Sequence, residues 1–438
     1  MLKATLYYLI ALKKNQWEKE ESLQKLKWQK LIENINYAYE HVPYYRNKFD
    51  KAVIKPSDIK NSEDIKKLPI TTKYDILGSE LRYISDEFVH HRLYTSRTSG
   101  STGEPFVSYF DKQGWFRLKL ASKYRARNAC GFSFRERFVI IEAMPIKEAQ
   151  NYNASFSISN LLFKKKILSL YDSMHSHVIF YKKFKPQTLY GFPSYFVNLV
   201  SYLEKNSIKL NSIERIFTSS EVLNKSSREL IENYFKCKVY DIYGCTETKE
   251  VAWECPKHEG YHINEDLVYV ECIDSDGNNL EEGEIGKLVV TTFENKAMPL
   301  IRYFNGDMGK LLKRKCSCGR TFALMQPTYG RINDYFTLKD NTKVSPYELT
   351  MSVEDIKGII QYQIIQKSPS RVNVYLRTNK EYLSSSHHKI MSNFKKILGR
   401  EVKVNIIYID EFNNYHNNNN SRNKFRVVIS EVKNDMQN

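Results

Sequence analysis

The sequence predicts an α/β fold. Its large N-terminal domain, residues 1–333, has parallel-rich sheets flanked by helices and carries a β-rich subdomain. A small mobile α+β domain, residues 334–438, completes it. Three observations carry this. Strand-like and helix-like segments alternate between residues 92 and 247, the pattern of a parallel sheet with helical crossovers. From Val268 the pattern changes to strand, Asp-Gly turn, strand (YVECIDSDGNNLEEGEIGKLVVTTF), which reads as antiparallel. After Arg331 about 100 residues remain, with FTL, VNVYL and VKVNIIYI as strands and two helices between them, the content of a small domain.

In chain order, residues 16–45 read as helix. Trp17, Leu23, Leu26, Trp28, Leu31 and Ile32 recur at helical spacing until Val42-Pro43. Residues 54–66 read as loop, and LPITTKYDIL as a turn into a short helix. RLYTS (92–96) and FVSYF (106–110) are strands on either side of a hydroxyl- and glycine-rich loop, TSGSTGEP. Gln113–Arg127 is a helix and RFVIIEA a buried strand. FKPQTLYGFPSYFVNLVSYLE gives strand, turn, helix. RIFTSSEVLN and KVYDIYGCTE are strands that end in polar turns. Ligands of parallel sheets sit at such carboxyl ends. NNYHNNNNSRN is a polar loop, and FRVVISEV a last strand or tail.

The chain has 438 residues, 42% of them apolar, so it can build its own cores. Its net charge is +17, with lysines spread along the chain rather than clustered. That fits a solvated basic surface or an anionic small molecule, and no motif points to nucleic acid. Seven cysteines and no secretory signal predict reduced thiols in the cytoplasm. The N-terminal apolar run of about eight residues is far short of the ~20 needed to span a bilayer. With Tyr7, Tyr8, Leu9 and Ile10 followed by Lys13 and Lys14, it reads either as a helix packed on the protein itself or as a peripheral contact with the inner membrane face. An oligomer is left open.

Four polar segments carry the chemistry. Ser99, Gly100, Ser101, Thr102 and Gly103 offer backbone N–H groups and hydroxyls suited to phosphate oxygens, without the spacing of a Walker loop. In DIYGCTE, Tyr243 can stack on a purine, Thr246 can bond a phosphate, and Glu247 can hold Mg²⁺. In AMPLIRYFNGDMG, Asp307 can accept both hydroxyls of a ribose. YGRINDYF adds Arg331 and Asp334. Separately, Cys255, His258, His262, Cys316 and Cys318 contain a closed tetrahedral zinc set, with the histidine open between two. Cys130, Cys237, Cys245 and Cys272 read as buried structural thiols.

In this order the four segments resemble the core motifs of the adenylate-forming superfamily of acyl-CoA synthetases, adenylation domains and luciferases. LPITTKYDI after HVPYYRNKF, the SSE of 219–221 and AMPLIRYFNGD resemble its phenylacetate-CoA ligase-like branch, especially the CapK-like proteins of capsule polysaccharide synthesis. The resemblance spans residues 95–426 and implies roles for the matching positions. Residues 99–103 would hold the ATP phosphates. Ser220 and Glu221 would lie against adenine, with Tyr243 and Gly244 on its face. Thr246 and Glu247 would serve the α-phosphate and Mg²⁺. Asp307 would take the ribose hydroxyls, and Arg331 would approach ribose or phosphate. Asp334 would be the hinge. Lys424 would reach back to the nucleotide and carboxylate during adenylation. GFPSYF (191–196) would line the acyl pocket, and residues 142–153 would border it. His262 matches the branch's G-x-H-x-x-E-D and becomes the favoured zinc ligand, with His258 spare.

Two departures stand out. Glu104-Pro105-Phe106 follows the phosphate loop where many members have lysine, and Asn423 replaces the usual glycine before Lys424. The implied function is ATP-dependent activation of a carboxylic acid as acyl-AMP with pyrophosphate release. The acyl group then passes to CoA or to an amine or hydroxyl, such as one on a sugar of a surface polysaccharide. The alternatives are a catabolic aryl-CoA synthetase and a non-catalytic binding protein on the same fold.

Overall fold

A computed structural model describes residues 10–88, 92–97, 106–154, 164–331, 335–354, 356–412 and 425–432. Residues 99–103, Asp334, Lys424 and the Asn-rich 413–423 loop lie outside these. The chain forms two compact units. One comprises residues 1–131 and 242–328, the other 132–241 and 329–438.

In the first unit, helices Glu20–His41 and Pro43–Lys51 follow one another directly, because Val42 breaks the helical backbone and Pro43 opens the next helix. Pro43 therefore starts a helix as well as ending one. Leu31, Ile35, Tyr45 and Phe49 bury their inner faces against Met298, Ile301 and Tyr303. The 54–66 segment, expected as loop, is wound into two short 3₁₀ turns, Pro56–Asp58 and Ser62–Lys67. Strands Lys249–Glu254, Tyr261–Ile263 and Leu324–Arg331 pair antiparallel in that order. Val268–Ile273, Gly286–Thr292 and Tyr303–Leu312 form a second antiparallel run, as the Asp-Gly turn predicted. Tyr94–Arg97 and Val107–Phe110 make a hairpin. The helix expected at 113–127 is present from Lys112 to Ala129, but its middle, Trp115–Ala121, is wound as π-helix.

In the second unit, Lys165–Ser169, Phe138–Glu142, Thr188–Gly191 and Arg215–Ser219 lie side by side and parallel. Leu189, Ile216 and Val239 are fully buried against helix Pro193–Lys205 through Phe196, Leu199 and Val200. Residues 336–428 own a separate core, with Phe336, Ile364, Val374 and Phe394 wholly buried. Its sheet contains a strand that the pattern reading missed, Ile359–Ser368. That strand pairs antiparallel with Arg371–Thr378 and parallel with Val428–Ser430. Gln361 and Gln366 sit buried where alternation calls for apolar residues, which hid it. Gln366 earns its burial by bonding both ways with Thr337, at 3.2 and 2.8 Å. No helix among the described residues is long and apolar enough to cross a membrane.

Candidate functional site

KVYDIYGCTE is a strand that ends in a turn, as the sequence predicts: Lys238–Cys245 is strand, and residues 246–248 turn before Lys249–Glu254 returns antiparallel. The ladder shifts register at Tyr243/Gly244. A Cβ on Gly244 would stand 2.1 Å from the Lys249 carbonyl oxygen, so only glycine lets the two backbones approach. The bulge re-aims the residues that follow.

Asp307 likewise lies inside a strand, Tyr303–Leu312, next to Gly306 at φ +98°. The Tyr243 hydroxyl donates to Asp307 Oδ2 at 3.0 Å, and Asn305 Nδ2 donates to the same oxygen at 2.8 Å. The Asp307 N–H in turn bonds Asn305 Oδ1 at 3.0 Å. Burial, reinforced by the Asp307 charge, pushes the Tyr243 phenol well above its ordinary range, so it stays a donor. Glu247 is buried and accepts from the Tyr303 hydroxyl at 3.1 Å. Residues more than fifty positions apart thus converge. Asn305 and Tyr303, which sequence reasoning did not single out, orient the two carboxylates.

Arg302, in the same AMPLIRYFNGD stretch, is structural. It is 1% exposed, pairs with Glu271 at 3.1 Å, and donates to the carbonyls of Lys66 and Leu68. This explains why AMPLIR and LPITT occur together: one guanidinium clamps the other segment's backbone.

In the second unit, Ser220 follows strand Arg215–Ser219 in a left-handed conformation, φ +74°. Glu221 accepts from the backbone N–H of Ser194, at the first turn of helix Pro193–Lys205, at 3.1 Å. Its other oxygen accepts from Phe425 N at 3.0 Å. Glu221 therefore joins the Gly-Phe-Pro-Ser turn to the residue after Lys424. Arg331 ends strand Leu324–Arg331.

Cys255, His262, Cys316 and Cys318 present ligand atoms all within 4.8 Å of one another. Cys255 Sγ is 3.6 Å from Cys316 Sγ, and Cys318 Sγ is 3.4 Å from His262 Nε2. A tetrahedral zinc with metal–sulfur bonds of roughly 2.3 Å has ligand–ligand edges of roughly 3.8 Å, so the set fits. His262 Nδ1 faces the Phe322 carbonyl at 3.3 Å, which directs Nε2 to the sulfurs. Burial holds this imidazole down at about 4, hence neutral with a lone pair to give. His258 is turned toward Glu254 instead, at 3.6 Å. Of the other thiols, Cys130 and Cys272 are buried, whereas Cys237 and Cys245 are only half-buried. Burial pushes Cys237 and Cys245 up to about 12 and Cys272 to about 11.

Residues 160–294 match the AMP-binding enzyme family and residues 336–431 the CapK C-terminal domain. A phenylacetate-coenzyme A ligase of Thermus thermophilus is 28% identical, covering 79% of this chain and 78% of that protein. Protein CapK of Staphylococcus aureus is 25% identical, covering 81% and 78%. A solved 2-hydroxyisobutyryl-CoA ligase in its postadenylation state superposes with a TM-score of 0.75 at 19% identity, over 95% of this chain and 91% of that one. That likeness concerns the fold. These likenesses support the adenylate-forming superfamily, on the branch of the phenylacetate-CoA ligases and CapK, and an AMP-forming acid ligase.

Proposed function

We propose that the protein activates a carboxylic acid with ATP, forms an acyl-AMP and pyrophosphate, and passes the acyl group to CoA. The observation that carries this is the Tyr243–Asp307 pair at 3.0 Å, beside the Tyr303–Glu247 pair at 3.1 Å. In this reading the two bonded pairs bring a carboxylate suited to ribose hydroxyls and an acidic group suited to a phosphate-bound cation together through Tyr243 and Tyr303. In this reading Asp307, already fixed by Tyr243 and Asn305, accepts the ribose hydroxyls. Tyr243, Gly244, Ser220 and Glu221 border the base, and residues 99–103 and Arg331 contact the phosphates. Thr246 bonds the α-phosphate, and Glu247 holds Mg²⁺, which when bound offsets phosphate charge. The substrate carboxylate is the nucleophile. Two anions must meet, so Lys424 supplies positive charge to the forming pentavalent phosphorus. Residues 334–438 act as the lid that delivers it from a hinge at Asp334.

The Cys255–His262–Cys316–Cys318 set holds a structural zinc, a closed set with no position left for substrate. The acceptor is tested directly. Pyrophosphate release is measured against aryl, hydroxy, amino and sugar acids, with and without CoA. CoA-dependent thioester formation supports the ligase reading, and hydroxamate trapping without CoA stimulation favours an amine or hydroxyl acceptor, as surface polysaccharide work requires. The likeness to CapK favours that second reading. Release with no acid refutes both and leaves a non-catalytic protein on the same fold.

A further inference from the structure

The segment that carries two of the four cluster cysteines also grips the start of the chain. Residues 315–323 have neither helix nor strand. Cys316 and Cys318 meet Cys255 and His262. Ser317 between them is tied to Glu259 at 2.6 Å. The residues that follow hold residues 16–18. Thr321 N donates to the Gln16 carbonyl at 2.9 Å, and the Thr321 hydroxyl donates to the Glu18 carbonyl at 2.6 Å. Arg320 Nε donates to Gln16 Oε1 at 2.8 Å. The Arg320 guanidinium lies 4.6 Å from the Trp17 ring and 5.4 Å from the Trp253 ring, both within cation–π range. Trp253 in turn lies 5.1 Å from the His262 imidazole. A column of rings and one cation thus runs from Trp17 to a cluster ligand.

The same stretch is held at its other end by the body of the unit. Leu12 is buried with Leu118 and Ala121. Its carbonyl accepts from Arg125 at 3.3 Å. Asn15 Nδ2 donates to Asp266 at 2.9 Å, and Asp266 pairs with Arg125 at 2.7 Å out of reach of water. Trp17, by contrast, is half exposed. Residues 12–18 therefore form a strap with one end on the body and the other on the cysteine loop. Ordering a loop without regular structure costs conformational entropy, and coordination of its two cysteines offsets that cost. The grip on the strap comes from residues two and three positions beyond Cys318, so it shares the loop's order.

We infer that zinc binding at Cys255, His262, Cys316 and Cys318 fastens residues 12–18: the cluster is the buckle of an N-terminal strap, and loading it docks the strap on the body. This rests on the zinc reading above and goes beyond it. A purely structural zinc protects its whole domain, whereas here occupancy is coupled to one segment. Linkage makes the coupling mutual, so a docked strap also tightens the metal.

The test uses the full chain, once loaded with zinc and once stripped by a chelator, with elemental analysis of both samples. Hydrogen exchange then reads the two states segment by segment. Stripping should speed exchange of the residue 12–18 amides by about tenfold or more, while helix Pro193–Lys205 keeps its protection. In the opposite direction, Trp17→Ala and Thr321→Val, neither of them a ligand, should weaken zinc affinity by about fivefold or more in chelator competition. Exchange at residues 12–18 that ignores zinc, exchange that rises evenly over the whole chain, or strap variants of unchanged zinc affinity overturns the inference and leaves the zinc site standing. A chain that binds no zinc overturns both.

Discussion

The cysteine–histidine cluster and the Tyr243–Lys249 corner lie in one unit and share the Lys249–Glu254 strand's neighbourhood, yet they are built on opposite terms. In the cluster every donor faces inward, the imidazole is kept neutral, and the Phe322 carbonyl fixes its orientation. The corner instead holds a glycine-only bulge, a lysine at positive φ, and an ammonium with no carboxylate partner among the described residues. The proposed zinc site would close around a single ion and stay shut, whereas the corner keeps backbone strain and a buried charge beside the proposed nucleotide site.

Four measurements test that contrast, beginning with the largest effect. Cys318→Ser should empty the cluster and destabilise the protein by at least about 3 kcal/mol. Elemental analysis should show the loss of one zinc per chain, and melting should fall with it. A zinc-free wild type of unchanged melting temperature breaks the comparison. Next, Glu247→Gln should lower pyrophosphate release by about 10²–10³ with no loss of stability, as expected for a group that acts on the transition state. A matching fall in melting temperature would make it a structural carboxylate.

Lys249→Met should stabilise the protein by about 1–2 kcal/mol at pH 7, since an apolar chain of similar length replaces a poorly compensated charge. The pH dependence follows from the sign of the shift. The folded value, about 7, lies below the ordinary 10.5, so between these limits the unfolded chain holds more protons. Lys249's contribution to stability therefore rises with pH across that window, and denaturant titrations of the variant should lose that rise. The smallest effect separates a hydroxyl-to-carboxylate contact from a bystander. Tyr243→Phe should raise the KM for ATP several-fold, about 1 kcal/mol for one hydrogen bond, while His258→Ala should leave both zinc content and KM unchanged.

Legibility followed the kind of signal. The Cys and His ligands announce themselves by residue type, and the structure gathers Cys255, His262, Cys316 and Cys318 while turning His258 away. The parallel strands Phe138–Glu142, Thr188–Gly191 and Arg215–Ser219 were legible because they are mostly buried and read as apolar runs, whereas the half-exposed edge strand Lys165–Ser169 was missed. Ile359–Ser368 was missed too, because buried glutamines interrupt its pattern. Asn305 and Tyr303 carry no mark as orienters of Asp307 and Glu247, since their roles exist only across strands. Lys249 looks like any surface lysine in TETKE. Nothing local says that Phe110 and Trp115 lie beneath it.

By itself the sequence determined the α/β class, the order of the polar motifs and the chemistry each residue type can offer, because backbone periodicity and side-chain functional groups are local properties. The tertiary structure decided which of those residues meet. The burial of Lys249 over Phe110 and the pairing of Tyr243 with Asp307 depend on strands far apart in the chain, and electrostatic energy depends on distance in space.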